Sequence, residues 1–266
     1  QGQLPYNDFE KIKEYCKSKG IIFFATAHDR PSLDFLNKLN VSVYKIGSGE
    51  LGNWPFIKYI ASQNKPVILS TGMYTNNEID IAIEQFKSVN NPDLAILHCV
   101  TNYPAPPHEI SIGRINILKN KLKSVIGYSD HTEGFHIPLA SVALGAEIIE
   151  KHITLDYNIP NAQDWKVSCG PKDFHIFIKH LRDIEETLKL NKDEVNQSEL
   201  KSKYWATKSL VSKREIKIGE VLSSEMVDCM RPGNGIPPSN IYSILGKKAL
   251  LKIPKNKMLK LDYFEN

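Results

Sequence analysis

Apolar residues along this chain fall into two alternating rhythms. Short continuous runs, bounded by polar or glycine residues, occur at 21–26, 43–48, 66–70, 94–99, 124–131 and 148–153, and they predict buried strands. Between them the apolar positions return every three or four residues, which predicts amphipathic helices over 31–39, 54–62, 77–90, 112–120, 137–144 and 171–190. One more helix precedes the first strand. Asn7 followed by Glu10 reads as a capping box, Phe9, Ile12 and Cys16 share a face, and Gly20 stops the helix.

Strand and helix thus alternate with no hairpin between them, and parallel strands need such crossover helices. The predicted strands run out into polar or glycine residues, as in Lys45-Ile46-Gly47-Ser48-Gly49-Glu50 and Ser70-Thr71-Gly72-Met73. In a β/α barrel the carboxyl ends of the strands converge on one face, where ligands bind. The expected fold class is therefore α/β, a TIM-type β/α barrel of which six strands are legible. A doubly wound open sheet is the competitor. No GxGxxG follows any strand, which lowers a dinucleotide-binding version of it.

The pattern changes after residue 190. Between 191 and 208 Lys, Asn, Glu, Gln and Ser dominate and the apolar period fades, which reads as a linker or partly ordered arm. From 209 to 266 short apolar runs are cut by Gly219, Pro232, Gly233, Gly235, Pro237, Pro238, Gly246 and Pro254. That pattern predicts a small β-rich module that needs packing against something larger.

Composition narrows the function classes without choosing one. A chain of 266 residues, 41% hydrophobic and 24% charged, is of the ordinary globular kind. The formal net charge of +4 comes from dispersed basic residues, so nucleic acid is not an expected partner, whereas small anions are compatible. Cys16, Cys99, Cys169 and Cys229 show no paired spacing and are expected as reduced thiols in a cytoplasmic protein. No apolar run approaches the roughly 20 residues of a membrane span, no signal peptide is visible, and no membrane partner is expected.

Candidate chemistry gathers at the strand ends. His131 and His152 each close one of two successive strands, so both imidazoles arrive at the same end of the sheet. They read as a pair of metal ligands, the alternative being that each caps its strand with a hydrogen bond. Lys45 interrupts an apolar strand. Pointing inward, its ammonium needs an anion and forms with Ser48 a phosphate or carboxylate clamp; the alternative is a lysine facing solvent from an edge. Ser70, Thr71 and Gly72 form a small anion cradle or merely a turn. Glu50 and Glu150 stand beside strand ends, able to accept protons or bind a polyol. Asp164, in Asn161-Ala162-Gln163-Asp164, belongs to a sugar site or a metal shell, or is a solvated loop carboxylate. Tyr103 with Pro104 and Pro106 makes a stiff loop with an aromatic wall, and His98 and Cys99 are expected in the core. Arg231-Pro232-Gly233-Asn234-Gly235 is a rigid turn presenting one guanidinium that lacks a partner surface.

Six pieces occur together: Lys-Ile-Gly-Ser-Gly-Glu at Lys45, Leu-Ser-Thr-Gly-Met at Leu69, Leu-His-Cys at Leu97 with Tyr103-Pro104, Gly-Tyr-Ser-Asp-His-Thr at Gly127, Glu-Lys-His-Ile-Thr at Glu150, and Arg-Pro-Gly-Asn-Gly at Arg231. In order and spacing, and across nearly the whole chain, they resemble the N-acetylneuraminate (sialic acid) synthase family. The resemblance implies an eight-stranded β/α barrel, of which residues 1–190 are a part with six strands, a linker over 191–208 and an antifreeze-like (SAF) domain over 209–266. The first two βα units, which in the family carry a catalytic glutamate and a phosphoenolpyruvate-binding lysine, have no counterpart here. A barrel lacking two adjacent strands has open edges, so the expectation is a piece of a longer protein that is inactive or aggregates alone.

The resemblance also implies an activity: condensation of phosphoenolpyruvate with N-acetylmannosamine or a related N-acyl sugar, assisted by a divalent metal, usually manganese, with magnesium or cobalt as alternatives. By motif position His131 and His152 match the metal ligands. Thr26, Lys45, Ser48, Ser70 and Ser129 match phosphoenolpyruvate contacts, and Glu50, Tyr103 and Asp164 match catalytic positions near the sugar or the metal-bound water. Arg231 resembles an arginine that enters the partner subunit's barrel in a domain-swapped homodimer and binds the acyl group. Thr101, where many members have asparagine, and the loop Gln163-Asp164-Trp165-Lys166-Val167-Ser168 keep a legionaminic or pseudaminic acid synthase open as alternatives. The alternative from another class is a non-catalytic sugar-binding or interaction piece of such a barrel.

Overall fold

The computed structural model describes residues 4–160, 162, 164–189 and 194–265. Contacts divide the chain into two units, residues 1–190 and 191–266. In the first, α1 (Tyr6–Ser18) is followed by α2 (Arg30–Lys38), β1 (Tyr44–Ile46), α3 (Trp54–Ala61), β2 (Val67–Ser70), α4 (Asn76–Lys87) and β3 (Leu94–Cys99). Then come α5 (Arg114–Lys121), β4 (Val125–Asp130), α6 (His136–Ala143), β5 (Ile148–Lys151) and α7 (Pro171–Thr187). Asn7 lies inside α1, so the capping box expected from Asn7 and Glu10 does not form. Pro5, whose ring fixes φ, takes the N-cap position instead. The box forms at α4, where Thr75 and Glu78 each satisfy the other's backbone amide.

The five strands pair in parallel in the order β1-β2-β3-β4-β5. A doubly wound sheet reverses its order partway; this one never does. Right-handed crossovers then set every connecting helix on one face and leave the other face to close on itself. The curl is visible in one contact. Four inter-strand steps of about 4.8 Å would hold β1 and β5 roughly 19 Å apart in a flat sheet, yet Lys45 of β1 reaches Glu150 of β5 at 3.4 Å. The sheet is a half-barrel, consistent with a TIM-type barrel.

Among the described residues five strands stand where six were expected. The run at 21–26 forms no strand: Thr26 alone pairs with Lys45, as an isolated parallel bridge, and Ile21 and Ile22 are 62% and 69% exposed. An apolar run becomes a strand only if neighbours cover it, and among the described residues this one has β1 on one side only. At the far edge Ile153 makes a single parallel bridge to Cys169. The helix-bearing face packs Tyr44, Ile46, Leu69, Ile96 and Tyr128 into one continuous core with the helices.

The second unit begins with α8 (Gln197–Ala206), a helix within the stretch expected to be a linker. Its C-terminal end is tied to the glycine-rich turn: Tyr204 O accepts from Gly233 N at 2.9 Å and Ala206 O from Arg231 Nε at 3.0 Å. β6 (Ser209–Ser212) and β7 (Val227–Met230) pair antiparallel. Further antiparallel bridges join Ile216 to Ile253 and Ala249 to Phe264. Leu210, Ile216, Ile244, Ile253 and Leu259 form a core internal to this unit.

Candidate active site

Strand register decides which side chains enter the barrel interior. Thr26 is level with Lys45, Cys99 with Ser129, and Ser129 with Glu150. Ser70 stands two residues beyond Ile68, the partner of Lys45, and therefore on the same face. The helix-free face thus carries a polar row at the carboxyl ends of all five strands. Lys45 Nζ donates to Ser70 Oγ at 2.8 Å and to Ile46 O at 3.0 Å, and its ammonium faces Glu150. Ser129 Oγ donates to the other Glu150 oxygen at 2.6 Å. Ser48 Oγ accepts from Gly72 N at 2.9 Å, across the gap between β1 and β2. A Cβ on Gly72 would lie 2.1 Å from Thr101 Oγ1 and 2.9 Å from Ser48 Oγ, so only glycine allows this approach.

Beyond the row stand the two imidazoles, with ring centroids 5.2 Å apart. His131 is buried. Its Nδ1 lies 2.7 Å from the Val100 carbonyl oxygen, which can only accept. The proton is therefore on Nδ1, and Nε2 keeps its lone pair for a ligand. Burial holds the His131 pKa below the ordinary histidine value; the Val100 hydrogen bond opposes this and the nearby His152 adds to it. His152 Nδ1 lies 3.7 Å from Asp164 Oδ2. Tyr103 stacks on His131 at 4.0 Å and meets His152 edge-on at 5.6 Å. Desolvation, first of several causes, pushes its phenol up to about 12, so it stays a neutral hydroxyl at physiological pH.

The residues fit a divalent cation as an open site. The neutral, buried His131 offers Nε2 and His152 stands beside it. Among the described residues no group of three or more His, Cys, Asp or Glu converges on one point. A bound ion would take the rest of its ligands from water or substrate.

Of the other expected residues, Glu50 is buried after β1, with Oε2 accepting from Asn53 at 2.8 Å and Oε1 3.4 Å from the exposed His28. Asp164 is mostly exposed beside His152. Asn161 and Gln163 lie outside the described residues. Arg231 belongs to the second unit, where its Nε is held by Ala206. His98 faces the helices as expected, 2.6 Å from the Ile110 carbonyl. Cys99 is buried as expected, but on the site side of the sheet, because neighbouring strand residues point opposite ways. Its thiol is 3.7 Å from His131 Nδ1, and burial, opposed by the Ser129 and Ser48 hydroxyls, raises its pKa and keeps it protonated. Asp130 and Lys151 went unnoticed in the sequence. Each is out of phase with the polar row and so faces the helices, where a charge must be paired; that phase was the available signal.

Fold and site together define an α/β protein with a parallel half-barrel whose polar side chains gather at the carboxyl ends of its strands. The chain belongs to the NeuB family, whose profile matches residues 1–193, and residues 207–265 match the SAF domain. It is 38% identical over 260 residues to the N,N'-diacetyllegionaminic acid synthase of Campylobacter jejuni, covering 97% of this chain and 78% of that one. It is 35% identical over 263 residues to a pseudaminic acid synthase of the same organism, covering 99% and 76%. Among solved structures it is similar to the sialic acid synthetase of Leptospira borgpetersenii in complex with citrate, with TM-score 0.69 and 36% identity over 75% of this chain and 70% of that one.

Proposed function

We propose that this chain condenses phosphoenolpyruvate with an N-acyl amino sugar, giving a nonulosonic acid and inorganic phosphate. The observation that carries the reading is the row of Lys45, Ser70 and Ser129 with Ser48 beside it, set next to an imidazole pair. That is a hydroxyl-lined surface with one ammonium, shared with Glu150 and able to turn to a small anion, beside a place for an electrophile. The synthases named above support it, since they make sugars of this class.

Lys45 and the hydroxyls of Ser48, Ser70 and Ser129, with Thr26 at the edge, hold the phosphate and carboxylate of the donor. His131 and His152 would hold a divalent cation, which supplies Lewis-acid polarisation of the acceptor carbonyl. Imidazole donors suit a first-row transition metal better than magnesium, which prefers oxygen ligands. Tyr103 packs against the His131 ring and Asp164 stands beside His152. With Glu50 they form the acceptor side. The enol carbon of the donor attacks the acceptor's carbonyl carbon and forms the new C–C bond. Water then adds at the donor's C2, and phosphate leaves by C–O cleavage. Glu150, bonded to Ser129 and near Lys45, is the carboxylate placed to take the proton that this water sheds. Arg231 completes the acceptor site from the second unit of a partner chain in a swapped homodimer.

The acceptor is set by experiment. Phosphate release from phosphoenolpyruvate is followed with N-acetylmannosamine and with its 6-deoxy diacetamido analogues, alongside calorimetric titration of phosphoenolpyruvate. Release with the diacetamido sugars alone assigns legionaminic or pseudaminic acid synthesis. Absence of both donor binding and phosphate release with every acceptor, in a protein that also carries the two βα units the family has before this chain's first strand, would overturn the reading.

A further inference from the structure

Asp130 and Lys151 form the last rung of the β4–β5 ladder and are register partners. Their side chains meet at 2.6 Å on the face away from the site, with side-chain exposures of 0% and 3%. Asp130 Oδ1 accepts from Tyr128 Oη at 2.9 Å, from Thr132 Oγ1 at 2.8 Å and from Thr132 N at 3.2 Å. Lys151 Nζ donates to Thr132 O at 2.7 Å. The pair therefore holds both backbone groups of the residue after His131. His131 is held besides through its own carbonyl, which accepts from Ala105 N at 2.8 Å, and His152 through its carbonyl, which accepts from Cys169 N at 2.7 Å. Each imidazole follows one member of the pair directly in the chain.

A buried ion pair adds little stability over a well-packed apolar pair in the same space. Apart from His98, the helix-bearing face of this sheet elsewhere uses apolar residues such as Ile46, Leu69 and Ile96. The charges at this one rung need another reason. We propose that the Asp130–Lys151 pair is the positioning element that fixes the spacing of His131 and His152, and through it the affinity of the site for a divalent cation. The metal part of this inference rests on the function proposed above; the spacing part does not.

The test uses the 266-residue chain with Lys151→Met, with Lys151→Arg and with the double variant Asp130→Asn/Lys151→Met. The single Lys151→Met leaves an unpaired buried carboxylate and is expected to unfold, whereas the double variant removes both charges and should fold, as circular dichroism reports. Mn2+ affinity is read by electron paramagnetic resonance and ring spacing by crystallography. In the folded double variant the Mn2+ Kd should rise about tenfold to a hundredfold, and the rings should leave their 5.2 Å separation. If the double variant does not fold, Lys151→Arg, which keeps the charge but alters the reach to Thr132, carries the same two readouts. A folded variant with unmoved rings and unchanged Mn2+ affinity overturns the proposal. Failure of the parent chain to bind Mn2+ removes the metal reading of the site, while ring spacing in the variant still decides the positioning role.

Discussion

Lys45 shows how a single residue commits a site. A lysine inside an apolar strand is costly unless paired, and here its partners are Ser70 and Glu150. A charge-assisted hydrogen bond contributes about 1.5–3 kcal/mol, so Lys45→Met should weaken phosphoenolpyruvate binding by roughly tenfold to a hundredfold in calorimetric titration. Glu150→Gln has the opposite sign for binding. It removes the anion that competes for Lys45, so donor affinity should hold or rise while phosphate release falls; a loss of donor affinity would tell against Glu150 as the proton acceptor beside a bound dianion. At Gly72, Ala places a Cβ against Thr101 Oγ1 and Ser48 Oγ. Overpacking of this kind costs about 1–3 kcal/mol. Thr101→Ala in the same chain should return part of the lost melting temperature, whereas an unchanged melting temperature in Gly72→Ala alone would mean the two loops are free to part. Lys45 was legible in the sequence because charge in an apolar run demands an explanation. Cys99 was not, because the side facing the site depends on a register that only pairing with β4 supplies.

At the scale of elements, the periodicity placed β1 to β5 and their helices to within a few residues, since apolar spacing is what the half-barrel uses to bury its outer face. It failed where spacing alone does not decide. The run at 21–26 has strand composition but only β1 beside it, and a single bridge is what it forms. The N-cap pattern of a polar residue followed three later by Glu does not decide by itself either. Asn7 with Glu10 does not form it, because Pro5 starts the helix earlier; Thr75 with Glu78 does. Thr75→Ala should therefore cost about 1 kcal/mol, read as a lower midpoint in urea, and Asn7→Ala should cost almost nothing. Hydrogen bonds from Thr75 hold the Glu78 carboxyl below the usual carboxylate range. A depressed folded pKa stabilises above the unfolded value and is lost as pH falls through the folded one. The melting temperature gap between the parent chain and Glu78→Gln should thus close as the solution is acidified from neutrality to below the carboxylate range. A gap constant with pH would remove the carboxylate from the cap.

At the scale of the whole molecule the chain is two cores. The break in apolar pattern near residue 190 was legible, and it falls where contacts divide the units. The helix α8 within the expected linker was not, because its apolar positions show no consistent face, and its capping box at Asn196 and Glu199 is the one signal that marks it. The second unit was expected to need a larger body to fold against, as its short runs and many turns suggested. Instead its apolar residues close on one another, with Leu210, Ile216, Ile244, Ile253 and Leu259 fully buried among themselves. Residues 194–266 expressed alone should therefore fold, giving dispersed amide resonances and a cooperative urea transition. A core in a unit of this size supplies no more than about 3–5 kcal/mol, and truncating a buried leucine to alanine costs about 2–5 kcal/mol. Leu259→Ala should then leave the isolated unit largely unfolded in water, while Leu261→Ala, at an exposed position two residues away, should leave the transition where it was. Collapsed amide dispersion in the parent fragment, or equal behaviour of the two leucine variants, would show that the buried cluster does not hold this unit together by itself.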